Sequence, residues 1–250
     1  GTSYANQQTV KDLTSAGNTI TLYAQWTKDA PKTYTVRFNN NGGSGTMSDQ
    51  TFTVDVSQAL KKNTFTRTGF TFKGWNTQSN GYGNSYTDQQ TVRNLTSAGG
   101  TITLYAQWKA NEYTNTLYYN ANGGTGAPAS QTEKVAYPNT QSTFRVSSVK
   151  PTRAGHTFLG WYDAATGGNK IGTTVTVGSN NHEGNQSKTI YAHWSANEYT
   201  NTLRYDANGG TGAPASQTAK VAYPNTQSTF RVSSVKPTRA GHTFLGWYDA

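Results

Sequence analysis

Apolar and polar residues alternate with a two-residue period over short stretches of this chain, and no segment holds a helical period for long. Val36 and Phe38 fall on one side and Thr35 and Arg37 on the other, before an Asn41-Gly42-Gly43 turn. The run Thr51-Phe52-Thr53-Val54 is placed to pair back after that turn. Thr66-Arg67-Thr68-Gly69 then reads as a tight turn leading into a strand through Phe70, Phe72 and Trp75, with Gly74 marking a bulge or a close backbone approach. A last strand places Ile102, Leu104, Ala106 and Trp108 on one face and Thr103, Tyr105 and Gln107 on the other. The best candidate for helix is the short stretch from Asp88, a capping residue type, to Leu95.

This pattern recurs. Trp75, Trp161 and Trp247, each preceded by glycine, repeat at an interval of 86 residues. A strand ending in tryptophan occurs as Leu22 to Trp26, Leu104 to Trp108 and Ile190 to Trp194. Ala110–Ala164 matches Ala196–Ala250 except for three changes: Tyr118 to Arg204, Asn120 to Asp206 and Glu133 to Ala219. Aligned on Asn-Gly-Gly, the inward pair Val36 and Phe38 becomes Leu117 and Tyr119, then Leu203 and Tyr205. The outward slot holds Arg37, Tyr118 and Arg204, so only the position assigned to solvent changes chemistry. The chain therefore divides into 1–26 (the C-terminal part of a repeat), complete repeats at 33–108 and 112–194, and 198–250 (the N-terminal part of a repeat). Connectors this short predict a semi-rigid string.

Three motifs in fixed order, Tyr-Thr-Val-x-Phe with Asn-Gly-Gly, Thr-Arg-x-Gly-x-Thr-Phe-x-Gly-Trp, and Thr-Leu-Tyr-Ala-Gln-Trp, resemble the Listeria-Bacteroides repeat, the B-repeat of internalin-type surface proteins. The resemblance covers nearly the whole chain. It implies a mostly β or α+β fold of small β-grasp-like, ubiquitin-like modules in tandem, arranged as an elongated array in cell-surface stalks, spacers or adhesive segments without known catalysis. It also places Trp26, Trp75, Trp108, Trp161, Trp194 and Trp247, with Phe72, Phe158 and Phe244, in the structural core. The sequence departs from the pattern at His156 and His242, which take an aromatic position, and in the longer loop from Gly178 to Lys188.

Composition narrows the function classes. The 250 residues contain no cysteine, which excludes disulfides and thiolate metal sites. Charged residues are 13%, about half the usual share, so polarity comes mainly from uncharged side chains. Hydrophobic residues at 33% suit several small cores better than one deep one. The chain has no apolar run long enough to span a bilayer. Its net charge of +9 is dispersed, with Lys61-Lys62 the longest basic run, which argues against a specific nucleic-acid site.

The internal copies control for catalysis. His156 and His242 replace Phe70, His193 replaces Gln107 and Gln25, and Glu133 faces Ala219, so no catalytic or metal set persists from unit to unit. The expectation is a non-enzymatic chain with no cofactor, metal or catalytic residue. Its partners are neighbouring repeats of the same or an identical chain, and its location is extracellular, at the cell surface. The leading function is a structural segment of a surface fibre, filament or adhesin stalk, acting as a spacer, with the cut repeats at its two ends either an excerpt from a longer array or completed head to tail by another chain. The alternative is a module binding cell-wall polymer, host glycan or another polyanion. Tyr23, Tyr105 and Tyr191, with Arg37, Arg204, Lys61 and Lys62, are its candidate ligand or inter-repeat contacts.

Overall fold

The computed structural model describes residues 1–249. The first unit contains β1 (Thr33–Asn39), β2 (Gln50–Thr53), β3 (Gln58–Ala59), β4 (Phe70–Asn76), β5 (Ser85–Tyr86), β6 (Thr91–Val92) and β7 (Thr101–Ala110). Five of these strands form a mixed sheet in the order β2-β1-β7-β4-β5. Its centre is a parallel pair, β1 with β7, running from Thr35 opposite Thr101 to Asn39 opposite Tyr105. Strands β3 and β6 form a separate two-stranded sheet. Val92 of β6 and Leu60, next to β3, share one core with Tyr34, Val36, Phe38, Phe52, Phe65, Trp75, Leu104 and Ala106.

The second unit repeats the plan with β8 (Glu112–Asn120), β9 (Gln131–Ala136), β10 (Ser142–Arg145), β11 (His156–Tyr162), β12 (Thr174–Val177) and β13 (Gln186–Ala196). Here the sheet order is β11-β13-β8-β9, with β13 parallel to β8. Strands β10 and β12 pair separately and contribute Phe144, Val175 and Val177 to a core with Leu117, Trp161, Ile190 and Ala192. Beyond it, β14 (Glu198–Leu203) and β15 (Gln217–Ala222) form an antiparallel pair.

The period-two reading of the strands holds. Val36 and Phe38 are buried while Arg37 is exposed, and Leu104 and Ala106 are buried on β7. The predicted irregularity is a register shift between Phe72 and Gly74, matched by one between Phe158 and Gly160. The helix expected from Asp88 does not form, and no helix occurs among the described residues. Thr91 and Val92 pair with β3, and the Asp88 carboxylate accepts the Asn63 amide at 2.9 Å. Tertiary pairing thus overrides a weak local capping signal.

Trp26 is also corrected. It is 89% exposed, because no strand forms among residues 1–32 and no sheet covers it. The other core assignments divide by depth. Trp75 and Trp161 are buried, whereas Phe72, Trp108, Phe158, Trp194, Phe244 and Trp247 are half-buried.

Candidate functional site

Each of the first two units closes around its Asn-Gly-Gly turn. In the first, the Asn41 side-chain amide donates to the carbonyl oxygens of Ser79 and Ala106 (2.8 and 2.9 Å), tying the turn to β7. The Trp108 indole N–H donates to the Asn40 carbonyl at 2.9 Å. Ser44 and Thr66 exchange backbone hydrogen bonds of 2.7 and 3.1 Å. Gly43 has no room for a side chain, since a Cβ there would lie 2.8 Å from both the Thr66 carbonyl oxygen and the Trp108 ring. The second unit repeats this closure. Asn122 donates to the Ala165 and Ala192 carbonyls, Trp194 donates to those of Ala121 and Asn122, and Thr125 exchanges backbone bonds with Thr152. The three motifs spread along the sequence therefore meet at one corner of each unit.

A second construction joins the units. Strand β7 runs to Ala110 and β8 starts at Glu112, leaving only Asn111 between them. Lys109 and Ala110, expected in a connector, are in strand because Thr71 and Phe70 continue the β4 ladder opposite them. The Asn111 amide donates to the Gly69 carbonyl (2.9 Å), and its own carbonyl accepts the Tyr137 amide (3.0 Å). Its side-chain oxygen accepts the Thr71 hydroxyl at 2.6 Å. One residue thus bonds to a turn of each unit.

The Tyr137 ring then covers Gly69 and meets the Phe70 ring edge-on, with centroids 5.6 Å apart. Gly69 has φ +73°, a conformation natural to glycine, and a methyl group there would run into the Tyr137 ring. The guanidinium of Arg67 lies over Phe70, 4.0 Å from the ring centre.

The next junction is built the same way. Asn197 alone separates β13 from β14; its amide donates to Gly155 (2.9 Å), its carbonyl accepts from Tyr223 (3.0 Å), and its side-chain oxygen accepts from Thr157 (2.8 Å). The Tyr223 ring covers Gly155 and meets His156 edge-on at 5.4 Å. His156 thus occupies the seat that Phe70 fills in the preceding unit. Its Nδ1 lies 2.8 Å from the Ala154 carbonyl oxygen, so the ring is oriented by its own turn.

The sequence profile of the Listeria-Bacteroides repeat domain matches residues 34–107, 116–193 and 202–250. The chain belongs to this repeat family. A protein of Evansella cellulosilytica named as a Gly-rich membrane protein is 30% identical over 235 residues, which is 93% of this chain and 24% of that relative. Internalin H of Listeria monocytogenes is 39% identical over 100 residues, 40% of this chain and 15% of its own length. The chain thus spans about a quarter or less of these two relatives. Among solved structures, the crystal structure of Mub-RV aligns over 64% of this chain and 97% of its own, at 11% identity and a TM-score of 0.19.

Within this repeat architecture the expected contact residues occupy varied places. Tyr105 and Tyr191 are half-buried within their own sheets, opposite Asn76 and Tyr162 respectively, while Tyr23 is 79% exposed. The aromatic contacts between units come from Tyr137 and Tyr223 instead. Their signal was the segment Ala-Tyr-Pro-Asn-Thr, present at 136–140 and 222–226 and absent from the first unit.

Arg37 pairs with Asp49 at 3.2 Å. The Lys61 ammonium donates to the Ser48 hydroxyl (2.7 Å) and to the carbonyls of Ser48 and Asp49 (3.1 Å each). Arg204 and Lys62 are exposed. Two carboxyls sit below their ordinary range. Asp55 is held down first by the Asn94 side-chain amide and then by Arg93, and Asp163 chiefly by the Asn169 backbone amide. Both stabilise loops of their own unit. No group of three or more His, Asp or Glu side chains suited to a metal ion occurs among the described residues.

Proposed function

We propose that this chain is a non-enzymatic structural segment of an extracellular surface fibre or stalk, in which coupled repeats set length and stiffness and hold a distal part away from the cell. The observation that carries this reading is the junction, built twice from an asparagine bonded on both sides and a tyrosine seated on a glycine. A freely jointed string needs neither feature. Membership in a tandem-repeat family, and the names of relatives as membrane protein and internalin, support placement in the cell envelope. The same reading takes 33–108 and 112–194 as complete repeats flanked by partial ones. It also treats the order β2-β1-β7-β4-β5 as a helix-free β-grasp plan, with the β3–β6 pair where a helix would pack.

The test uses nitroxide labels at Lys62→Cys and Lys150→Cys in the full chain, a clean choice because the sequence has no cysteine. A single narrow distance distribution is expected. A broad one, matching two units that tumble independently, overturns the reading.

Head-to-tail assembly is a finer part of the proposal. A cleft of about 410 Å³ in the third unit is lined by Asp206–Asn208, Pro237–Arg239 and His242–Tyr248, of which Asp206 and His242–Tyr248 correspond to Asn120 and His156–Tyr162, paired with β13 in the second unit. Thr21–Trp26 repeats Thr103–Trp108 residue for residue, and Leu22, Tyr23 and Trp26 are exposed. Sedimentation over a range of concentrations tests whether one copy fills the cleft of another; a concentration-independent monomer rejects it. The glycan- or polyanion-binding alternative is weaker, since Arg37 and Lys61 already have partners within the fold.

A further inference from the structure

The way each unit is threaded bears on the load such a segment carries. The strand by which the chain enters the first complete unit, β1, lies directly beside the strand by which it leaves, β7, and the two are parallel. The second unit has the same arrangement, with β8 and β13 parallel from Asn115 opposite Gln186 to Asn120 opposite Tyr191. Tension on the two ends of a unit therefore draws neighbouring strands in opposite directions along their common axis. The hydrogen bonds between parallel strands lie across that axis and are evenly spaced, so they share the load and must fail together. If the same strands were pulled apart from one end, the bonds would break one at a time.

The junctions deliver tension to this pair with little slack. Only Asn111 lies between β7 and β8, and only Asn197 between β13 and β14. The pair is also central, with β2 and β4 flanking it in the first unit and β9 and β11 in the second, so neither strand is a free edge that can peel. At the entry end the Thr35 amide donates to the Gly100 carbonyl at 2.9 Å, extending the ladder to the start of β7. The Trp108 indole, bonded to Asn40 where β1 gives way to its turn, ties the exit strand to the far end of the entry strand.

We infer that each complete repeat is a tension-bearing clamp, with the parallel entry and exit strands as its force-resisting element. This inference rests on the reading of the chain as a structural segment and adds the direction in which it is strong. Thr33–Ala110 comprises 78 residues and Glu112–Ala196 comprises 85. At about 3.6 Å per residue the two units hold roughly 28 and 31 nm of chain, so their unfolding steps can be told apart.

Single-molecule stretching of the full chain provides the test, with handles at introduced cysteines. Lys32→Cys with Lys109→Cys loads β1 and β7 from opposite ends, whereas Lys32→Cys with Ser97→Cys loads them from the same end. All three positions are exposed, so the fold is common to both measurements. The opposite-end geometry is expected to rupture at a force at least about twofold higher, because its bonds are loaded together. Pulled by its termini, the chain should show discrete steps of the two lengths less the folded span of each unit. Equal rupture forces in the two geometries, or gradual extension without those steps, overturn the clamp while leaving the label-distance test of the structural reading intact. Conversely, a broad label-distance distribution with geometry-dependent rupture rejects coupled junctions and retains the clamp.

Discussion

The first two repeats share a sheet plan and a turn closure but fill one core position with opposite chemistry. Tyr34 on β1 of the first unit is buried and stacks on Phe52, with ring centroids 5.3 Å apart. Its counterpart on β8 of the second unit is Asn115, equally buried, whose side-chain amide donates to the Thr140 carbonyl and the Ser142 hydroxyl at 2.8 Å each. Around it the second unit assembles a polar cluster. Gln186 also donates to the Thr140 carbonyl, and the Thr140 hydroxyl bridges the His182 amide and the Ser179 carbonyl. The third unit repeats the motif, Asn201 donating to Thr226 and Ser228 at 2.9 Å. The closure fixes backbone geometry in both units, whereas the core position is filled with different chemistry in each, and in each the side chain keeps one buried oxygen without a hydrogen-bond partner.

The largest effect comes from removing the central tryptophans. Trp75 packs against Phe38, Phe65 and Phe72, while Trp161 has Tyr119 and Phe158 around it. Trp75→Ala is expected to destabilise its unit by about 5 kcal/mol and Trp161→Ala its own by about 3 kcal/mol, the two ends of the range for emptying such a site. Hydrogen exchange resolved by unit measures both. Equal losses would show that the aromatic first core is no better packed than the mixed second one.

Next come changes at the swapped position, where opposite signs are expected. Asn115→Ala leaves Ser142 and Gln186 around a gap and should destabilise the second unit by about 2 kcal/mol. The Tyr34 hydroxyl is buried without a hydrogen-bond partner. Tyr34→Phe should therefore stabilise the first unit by about 1 kcal/mol. Denaturant titration of each variant decides the matter, and a destabilising Tyr34→Phe would mean that the hydroxyl has a partner in solution.

The junctions offer a smaller contrast. Tyr137→Ala removes an edge-on contact with Phe70, and Tyr223→Ala removes one with His156; an aromatic pair of this kind contributes about 1 kcal/mol. Gly69→Ala has the stronger effect on geometry, because the methyl displaces the Tyr137 ring. It should broaden the label distance between Lys62→Cys and Lys150→Cys and also lower the unfolding midpoint of the first unit, because alanine is strained at φ +73°. An unaltered distribution would show that the backbone bonds of Asn111 hold the junction without the ring.

Much of this was legible in the sequence, and what was not has a physical cause. The strands at Thr35–Phe38 and Ile102–Trp108 were readable because burial on one face enforces alternation. The bulge at Gly74 was readable because glycine interrupts that alternation at the same place in each copy. The supposed helix after Asp88 failed because two-residue strands such as β6 are defined by their partner across the sheet, which local propensity does not record. Trp26 was misplaced because matching residues were assumed to have matching surroundings, and its surroundings require neighbouring strands. The junction was missed for a related reason: Tyr137 and Gly69 are ordinary turn residues separately, and only the path of the chain through Asn111 brings them together.

The smallest expected effect is the acid response, which separates the two units by the loops that hold their carboxylates. Asp55 accepts the Asn94 side-chain amide and an Arg93 guanidinium N–H, each at 2.9 Å, and these partners lower its pKa below the ordinary 3.8. Asp163 is lowered mainly by the Asn169 amide, at 2.7 Å. For a carboxyl whose folded pKa is depressed, the added stability is fully present above the unfolded value and is lost as pH falls through the folded one. Both loops should therefore be insensitive between pH 5 and pH 7, on the order of those neutral-side values, and loosen only below about pH 4. Because both carboxylates are exposed, the changes should be slight. Asp55→Asn removes the Arg93 ion pair and should flatten the acid response of the first unit alone, whereas Asp163→Asn should flatten that of the second. Chemical-shift titration of the Asn94 and Asn169 amides reads the two loops separately, and a shared midpoint that persists in both variants would assign the acid response to groups outside these loops.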